Sequence, residues 1–205
     1  MTTQSRRRFL ATTGGGLAVA LAGCLGGGAG EVDSFDSGDR PALGSDDAPV
    51  RMAVFEDFSC PACRQFKTQI APDIVEEYVE SGDVQYFHAD FPIPMDETWS
   101  FAVPSAAWAL FEEAGSDAFW SFTSAIYQYQ NSYSYDAIEE VANEVADAGT
   151  QAREAAEDVT YRDQLEDDRE LGEEWGVGGT PAVFVADDLV DPDFESVSSA
   201  IESEL

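Results

Sequence analysis

Two cysteines with two residues between them, Cys60-Pro61-Ala62-Cys63, are the part of this chain whose types and spacing carry chemistry. If a helix starts at the first, its unpaired backbone N–H groups and the positive end of its dipole stabilise a thiolate on Cys60. Cys63, one turn along, is then within reach to close a disulfide and lies on the inner side. Such a pair exchanges electrons with an external thiol or disulfide: Cys60 attacks or is attacked, and Cys63 resolves the mixed disulfide. Two other uses of the spacing stand beside this one. Zinc asks for two further ligands, and the chain offers only Cys24, near its start, and His88, so no metal is expected. A purely structural bridge over two intervening residues closes a loop too small to stabilise much. No cofactor besides the cysteine pair is required.

The neighbouring residues supply the elements that would position it. Val50 to Phe58, between Pro49 and Ser59, is a short run rich in apolar β-branched and aromatic residues and predicts a buried strand. Phe66, Ile70, Ile74 and Tyr78 then recur every four residues until Ser81-Gly82, which predicts a helix from the first cysteine, with Pro61 in its first turn and a kink at Pro72. Val84 to Phe91 reads as a second strand. Ser105 to Glu113, Ala118 to Tyr129, a third face through Ile138, Val141, Ala142 and Val145, and Gln151 to Trp175 all read as helical. Asp136 with Glu139 suits a capping box on the third. Pro181 precedes a final apolar run, Ala182 to Val185, where a turn proline is ordinary. His88, in a predicted strand, and Trp99, Trp108, Trp120 and the tyrosines from Tyr127 to Tyr135 read as packing groups, with the lining of a peptide groove as the alternative for some of the aromatics.

With these parts in place the chain resembles the DsbA-like branch of the thioredoxin superfamily. The resemblance rests on strand, Cys60-Pro61-Ala62-Cys63 and helix, and on Gly176-Val177-Gly178-Gly179-Thr180-Pro181-Ala182-Val183-Phe184-Val185, similar to the segment that presents a cis-proline beside the active site. It covers residues 50–204, through the two motifs and in pattern between them. It implies an α/β class, a thioredoxin fold with a helical insertion at about residues 97–174 between the second and third core strands. Cys60 would be the nucleophile, Cys63 the resolving thiol, and Thr180 with Pro181 the corner whose backbone pairs with an extended substrate peptide. The implied activity is thiol–disulfide exchange on cysteines of exported proteins, in a direction the resemblance does not fix, with a redox partner in the membrane or outside the cell. Two departures matter. Ala62 stands where the best-known oxidases carry a histidine and cannot donate its hydrogen bond to the thiolate, and Val54 stands where thioredoxins keep a buried acid. Glu56 and Asp57 are nearer, and their charge opposes a thiolate on Cys60. A second class of function is a peptide-binding lipoprotein with a structural disulfide. A thiol peroxidase finds no support in the CxxC spacing.

The 205 residues suffice for one sizeable domain, and 44% hydrophobic with 12% aromatic residues argues for a packed globule despite a net charge of −31. Only 10 basic residues, with Lys67 the single lysine, face 41 acids spread along the chain, so nucleic acid and anionic lipid surfaces are poor partners. Molar salt, where the screening length is about 3 Å, removes most of this self-repulsion, and the composition resembles that of proteins from extreme halophiles. Asp187, Asp188, Asp191 and Asp193 offer oxygens to calcium without the spacing of an EF-hand loop.

Residues 1–23 read as an address. Arg6-Arg7-Arg8-Phe9-Leu10 opens a glycine-interrupted apolar stretch similar to a twin-arginine export signal. Leu21-Ala22-Gly23-Cys24 resembles a lipobox, with Cys24 as the lipid-bearing mature N-terminus; an ordinary cleaved signal is the alternative. Residues 24–48, rich in Gly, Ser and Asp, read as a flexible acidic tether of about 25 to 30 Å r.m.s. span, and residues 49–205 as the catalytic domain. The protein is thus expected on the outer face of the cell membrane, held by lipid.

Overall fold

A computed structural model describes residues 30–93 and 95–205; the stretch read as an export signal, and Cys24, lie outside the described residues. Five strands form one sheet in the order β1-β3-β2-β4-β5, with β1 Ala42–Leu43, β2 Val50–Glu56, β3 Val84–Asp90, β4 Ala182–Val185 and β5 Asp188–Val190. β2 and β3 run parallel, Val54 opposite His88, and β4 runs antiparallel to β2, Val54 opposite Val183. The parallel pair needs a crossover, which the cysteine-bearing helical segment provides. The sequence reading extended both strands by a residue or two, to Phe58 and Phe91.

Both sheet faces are covered, which is why β2 and β3 are buried almost throughout instead of alternating. On one face Met52, Val54, Tyr86 and Val183 pack with Phe66, Ile74 and the helical insertion. On the other, Phe55, Phe87 and Phe184 pack with Phe35 and Trp175. Phe35 stacks on Trp175 at 5.2 Å between ring centroids. The expected tether therefore ends sooner than residue 48. Within residues 30–48, Val32 and Phe35 are buried, β1 pairs with β3, and Arg40 grips Asp168 with two bonds of 2.6 and 2.7 Å.

The cysteine-bearing segment is not a simple kinked helix. α1 Pro61–Gln65 widens into a π turn over Phe66–Ile70, α2 covers Ala71–Ile74, and a second π turn covers Val75–Val79. Pro72 lacks the N–H that Thr68 would receive and its ring crowds that carbonyl, so the turn ahead of it opens. The insertion comprises α3 Trp99–Ala114, α4 Ser116–Ile126, α5 Tyr135–Ala146 and α6 Gly149–Asp158, and α7 Arg162–Glu174 leads back to the sheet. The single helix expected from Gln151 to Trp175 is two, because Val159 takes a left-handed conformation with φ of 47°. The expected capping box on α5 is also replaced. Ser134 caps it by accepting from the Ala137 N–H, while Asp136 and Glu139 bind Arg153. α8 Phe194–Glu204 closes the chain, capped by Asp193. No helix among the described residues is long and apolar enough to cross a membrane.

Candidate active site

Cys60 occupies the N-cap of α1 with extended backbone and Pro61 follows in the first turn, so the helix begins where the sequence placed it. Both cysteines are thiols, Cys63 fully buried and Cys60 at 6% exposure. The Cys63 thiol, donating to Cys60, is the largest influence on the nucleophile; with the Thr180 side chain and the N–H groups of Cys63 and Ala62 it outweighs partial burial and brings the Cys60 pKa down to about 5. Burial, the bond to Cys60 and the Glu56 charge push Cys63 strongly the other way. The two sulfurs thus divide the work: one is an anion at neutral pH and a good leaving group, the other stays protonated.

The Thr180–Pro181 peptide bond is cis, and the Thr180 carbonyl lies 3.3 Å from Cys60 Sγ, accepting its proton in the thiol form. The structure therefore brings Cys60, Cys63, Pro61, Ala62, Thr180 and Pro181 together. Ala62 is exposed and makes only its backbone contribution.

Residues beyond the two motifs fix the loop ahead of Cys60. Gln130 donates from Nε2 to the carbonyls of Phe58 and Cys60 at 2.8 and 2.9 Å, and the Tyr133 hydroxyl donates to Phe58 at 3.0 Å. Asp57 accepts from the N–H groups of Ser59 and Ile93, both at 2.7 Å, and from the Ser100 hydroxyl at 3.0 Å. Burial nevertheless raises its pKa to about 6, and the nearby Cys60 charge adds to the rise. Gln130 carried no signal in the sequence, because an amide in a polar stretch resembles any surface glutamine.

Behind the cysteines lies a buried ionic cluster. His88 places Nδ1 at 3.2 Å from Glu56 and Nε2 at 3.0 Å from Asp90, whose other oxygen accepts from Trp108 Nε1 at 2.8 Å. Burial alone would lower the His88 pKa, but the two carboxylates outweigh it and raise it to about 9, so the imidazolium donates to both. Lys67 Nζ is 3.6 Å from Glu56 and 4.0 Å from the centre of the Trp120 ring. His88 is thus the packed residue the sequence suggested, with a charge it did not reveal. The Glu56 charge raises the Cys63 pKa. Among the described residues no group of three or more potential ligands could hold a metal ion.

Two grooves flank Pro61. One of about 320 Å3 is lined by Ser59, Met95, Trp99 and Tyr133. The other, about 790 Å3, runs past Arg64, Gln65, Gln69, Gln128 and Asn131. Trp99 and Tyr133, read from the sequence as packing groups, both pack and border the opening.

A parallel-antiparallel sheet carrying a CxxC at a helix N-cap against a cis-proline defines a thioredoxin-fold thiol–disulfide oxidoreductase. The family model described as thioredoxin matches residues 36–203. "Probable disulfide bond formation protein D" of Bacillus anthracis is 32% identical over 181 residues, 84% of this chain and 82% of the relative. The Bacillus subtilis disulfide bond formation protein D is 26% identical over 81% of this chain and 77% of its own length. In fold, oxidised BdbD of B. subtilis superposes with a TM-score of 0.77 at 24% identity, over 87% of this chain and 97% of that one. Chlamydia trachomatis DsbA gives 0.73 at 18%, over 82% and 91%. The chain belongs to the thioredoxin family, as a DsbA-like member.

Proposed function

We propose that this protein donates the Cys60–Cys63 disulfide to cysteines of exported proteins, acting as an oxidase. The observation that carries the direction is the stabilised Cys60 thiolate, because whatever stabilises the reduced pair makes the disulfide more oxidising. In the forward reaction a substrate thiolate attacks Cys60 Sγ, the S–S bond to Cys63 breaks, and Cys63 takes up a proton. A second substrate thiolate then attacks the substrate sulfur of the mixed disulfide and Cys60 leaves as its anion. The substrate gains one disulfide and loses two electrons, which the Cys60–Cys63 dithiol holds until a membrane or extracellular redox partner accepts them.

A Cys60 pKa of about 5 lies between those of thioredoxin, about 7, and DsbA, about 3.5. That places the pair on the oxidising side of thioredoxin's about −270 mV, while structural disulfides of secreted proteins lie below about −300 mV. Transfer to such substrates is then strongly downhill. Thr180 and Pro181 hold the substrate backbone beside Cys60. The twin-arginine signal and Cys24 would place the domain outside the cell on a lipid anchor, and the excess of acids suits it to molar salt. No nucleic acid is involved.

The test is to mix oxidised protein with a reduced, unfolded cysteine-bearing protein at molar salt and follow thiol loss on both. Substrate oxidation with stoichiometric appearance of Cys60 and Cys63 thiols is expected, and Cys63→Ser, given instead a substrate that already carries a disulfide, should accumulate a mixed disulfide on Cys60 because no Cys63 thiol remains to resolve it. A protein that binds peptide equally well with both cysteines replaced, and exchanges nothing, is a peptide-binding module. Cys24→Ser should release the chain from the membrane into the medium.

A further inference from the structure

In a chain with 41 acids and 10 basic residues, five of the seven lysine and arginine side chains among the described residues have an acid beside them. Arg40 pairs with Asp168, Lys67 with Glu56, Arg162 with Glu166 and Arg169 with Glu173, and Arg153 holds three carboxylates. Arg51 has no ion pair but donates to Gln85 and to the Asp33 carbonyl, with its guanidinium over the Phe87 ring. Among the cations of the described residues Arg64 alone has neither an ion pair nor a side-chain hydrogen bond. It is exposed, its N–H bonds the Cys60 carbonyl at 3.2 Å, and its side chain lines the groove of about 790 Å3. That groove contains no acid; amide and hydroxyl side chains supply its remaining polarity. An arginine kept free of acids one turn from the nucleophile, on an otherwise acidic protein, is available to a carboxylate that arrives from outside.

We propose that Arg64 receives an Asp or Glu side chain flanking the reactive cysteine of the substrate, so that acidic peptide segments are the preferred substrates. The inference rests on the oxidase reading only for its kinetic readout. A guanidinium binds a carboxylate through a planar fork at contact distance, while the repulsion between an acidic peptide and the rest of this chain acts over longer range. Salt separates the two. At about 1 M the screening length is about 3 Å, which removes the long-range repulsion while the contact pair, at hydrogen-bonding distance, is weakened less. The preference for acidic peptides should therefore rise with salt, the reverse of ordinary electrostatic attraction.

The experiment compares two short dithiol peptides, one with Asp beside each cysteine and one with Asn, as substrates of the oxidised full chain at about 0.1 M and about 2 M salt. At the higher salt the Asp peptide should react about two- to fivefold faster than the Asn peptide, the range of one exposed ion pair. Arg64→Gln should bring the ratio to about one and Arg64→Glu should invert it. The same peptides with serine in place of cysteine, labelled for anisotropy, report binding without exchange and should show the same order and the same loss. A ratio near one in the parent protein, or a ratio that Arg64→Gln leaves unchanged, overturns the proposal. So does an equal slowing of both peptides with a shifted pH midpoint of Cys60 alkylation, which would make Arg64 an aid to the thiolate. Acid-selective binding without any peptide oxidation would sink the oxidase reading and leave the Arg64 subsite standing.

Discussion

Reducing the Cys60–Cys63 pair should make the fold's stability depend on pH in a way the disulfide form does not share. The Cys60 pKa is about 5 in the folded protein against 9.0 for an unperturbed thiol. Because the folded value is depressed, the contribution is fully present above the unfolded pKa and is lost as pH falls through about 5. Four units at about 1.4 kcal/mol each set a ceiling of about 5.6 kcal/mol. Cys60 borders two open grooves where water screens its charge, so about 2 to 3 kcal/mol is the figure to expect. Asp57, raised to about 6 by burial, acts in the opposite sense: its contribution is lost as pH rises through 6. It is present in both redox forms and largely cancels in their difference. The assay is guanidinium unfolding followed by tryptophan fluorescence, on reduced and oxidised protein, at pH 5, 7 and 9. The stability of the reduced form relative to the oxidised form should grow by about 2 to 3 kcal/mol across that range. Parallel pH profiles, differing by less than about 0.5 kcal/mol, would refute a stabilised thiolate and the oxidase direction built on it.

Other perturbations probe the surroundings of the pair. Asp57→Asn weakens the anchor of Ser59, Ile93 and Ser100 and should cost about 1 to 3 kcal/mol, while removing a repelling charge so that the midpoint of Cys60 alkylation moves below that of the parent protein. A midpoint that rises would show that loop geometry outweighs charge. His88→Leu strands Glu56 and Asp90 without their shared imidazolium and should destabilise by about 3 to 5 kcal/mol in urea or thermal unfolding; a loss under 1 would mean the cluster relaxes to water. Gly172→Ala places a Cβ 2.6 Å from Phe91 Cδ2 in the packing of α7 on the sheet, and a loss of about 1 to 3 kcal/mol is expected by the same measurement.

The two motifs were legible because each is local. A strand, a cysteine at a helix start and Pro61 in the first turn are set by residues adjacent in sequence, and the cis-proline segment is equally compact. Contacts between distant residues were not. The Glu56–His88–Asp90 cluster joins strands 32 residues apart, and nothing in either strand alone marks its charges as paired. Residues 30–48 have the composition of a tether, yet Phe35 finds Trp175 and Arg40 finds Asp168, contacts that outweigh weak local propensity. The break at Val159 carries no glycine or proline, and a β-branched residue at positive φ runs against steric preference. Ser134 outcompeted the expected Asp136 cap because the latter's carboxylate is taken by Arg153.

The most direct test of the account is the equilibrium potential of the Cys60–Cys63 pair, titrated against glutathione at molar salt with alkylation as readout. A disulfide donor with the thiolate described here should give a value well above thioredoxin's about −270 mV. A value near −270 mV or below would make the protein a reductant, and a pair that stays oxidised at every ratio would make the bridge structural.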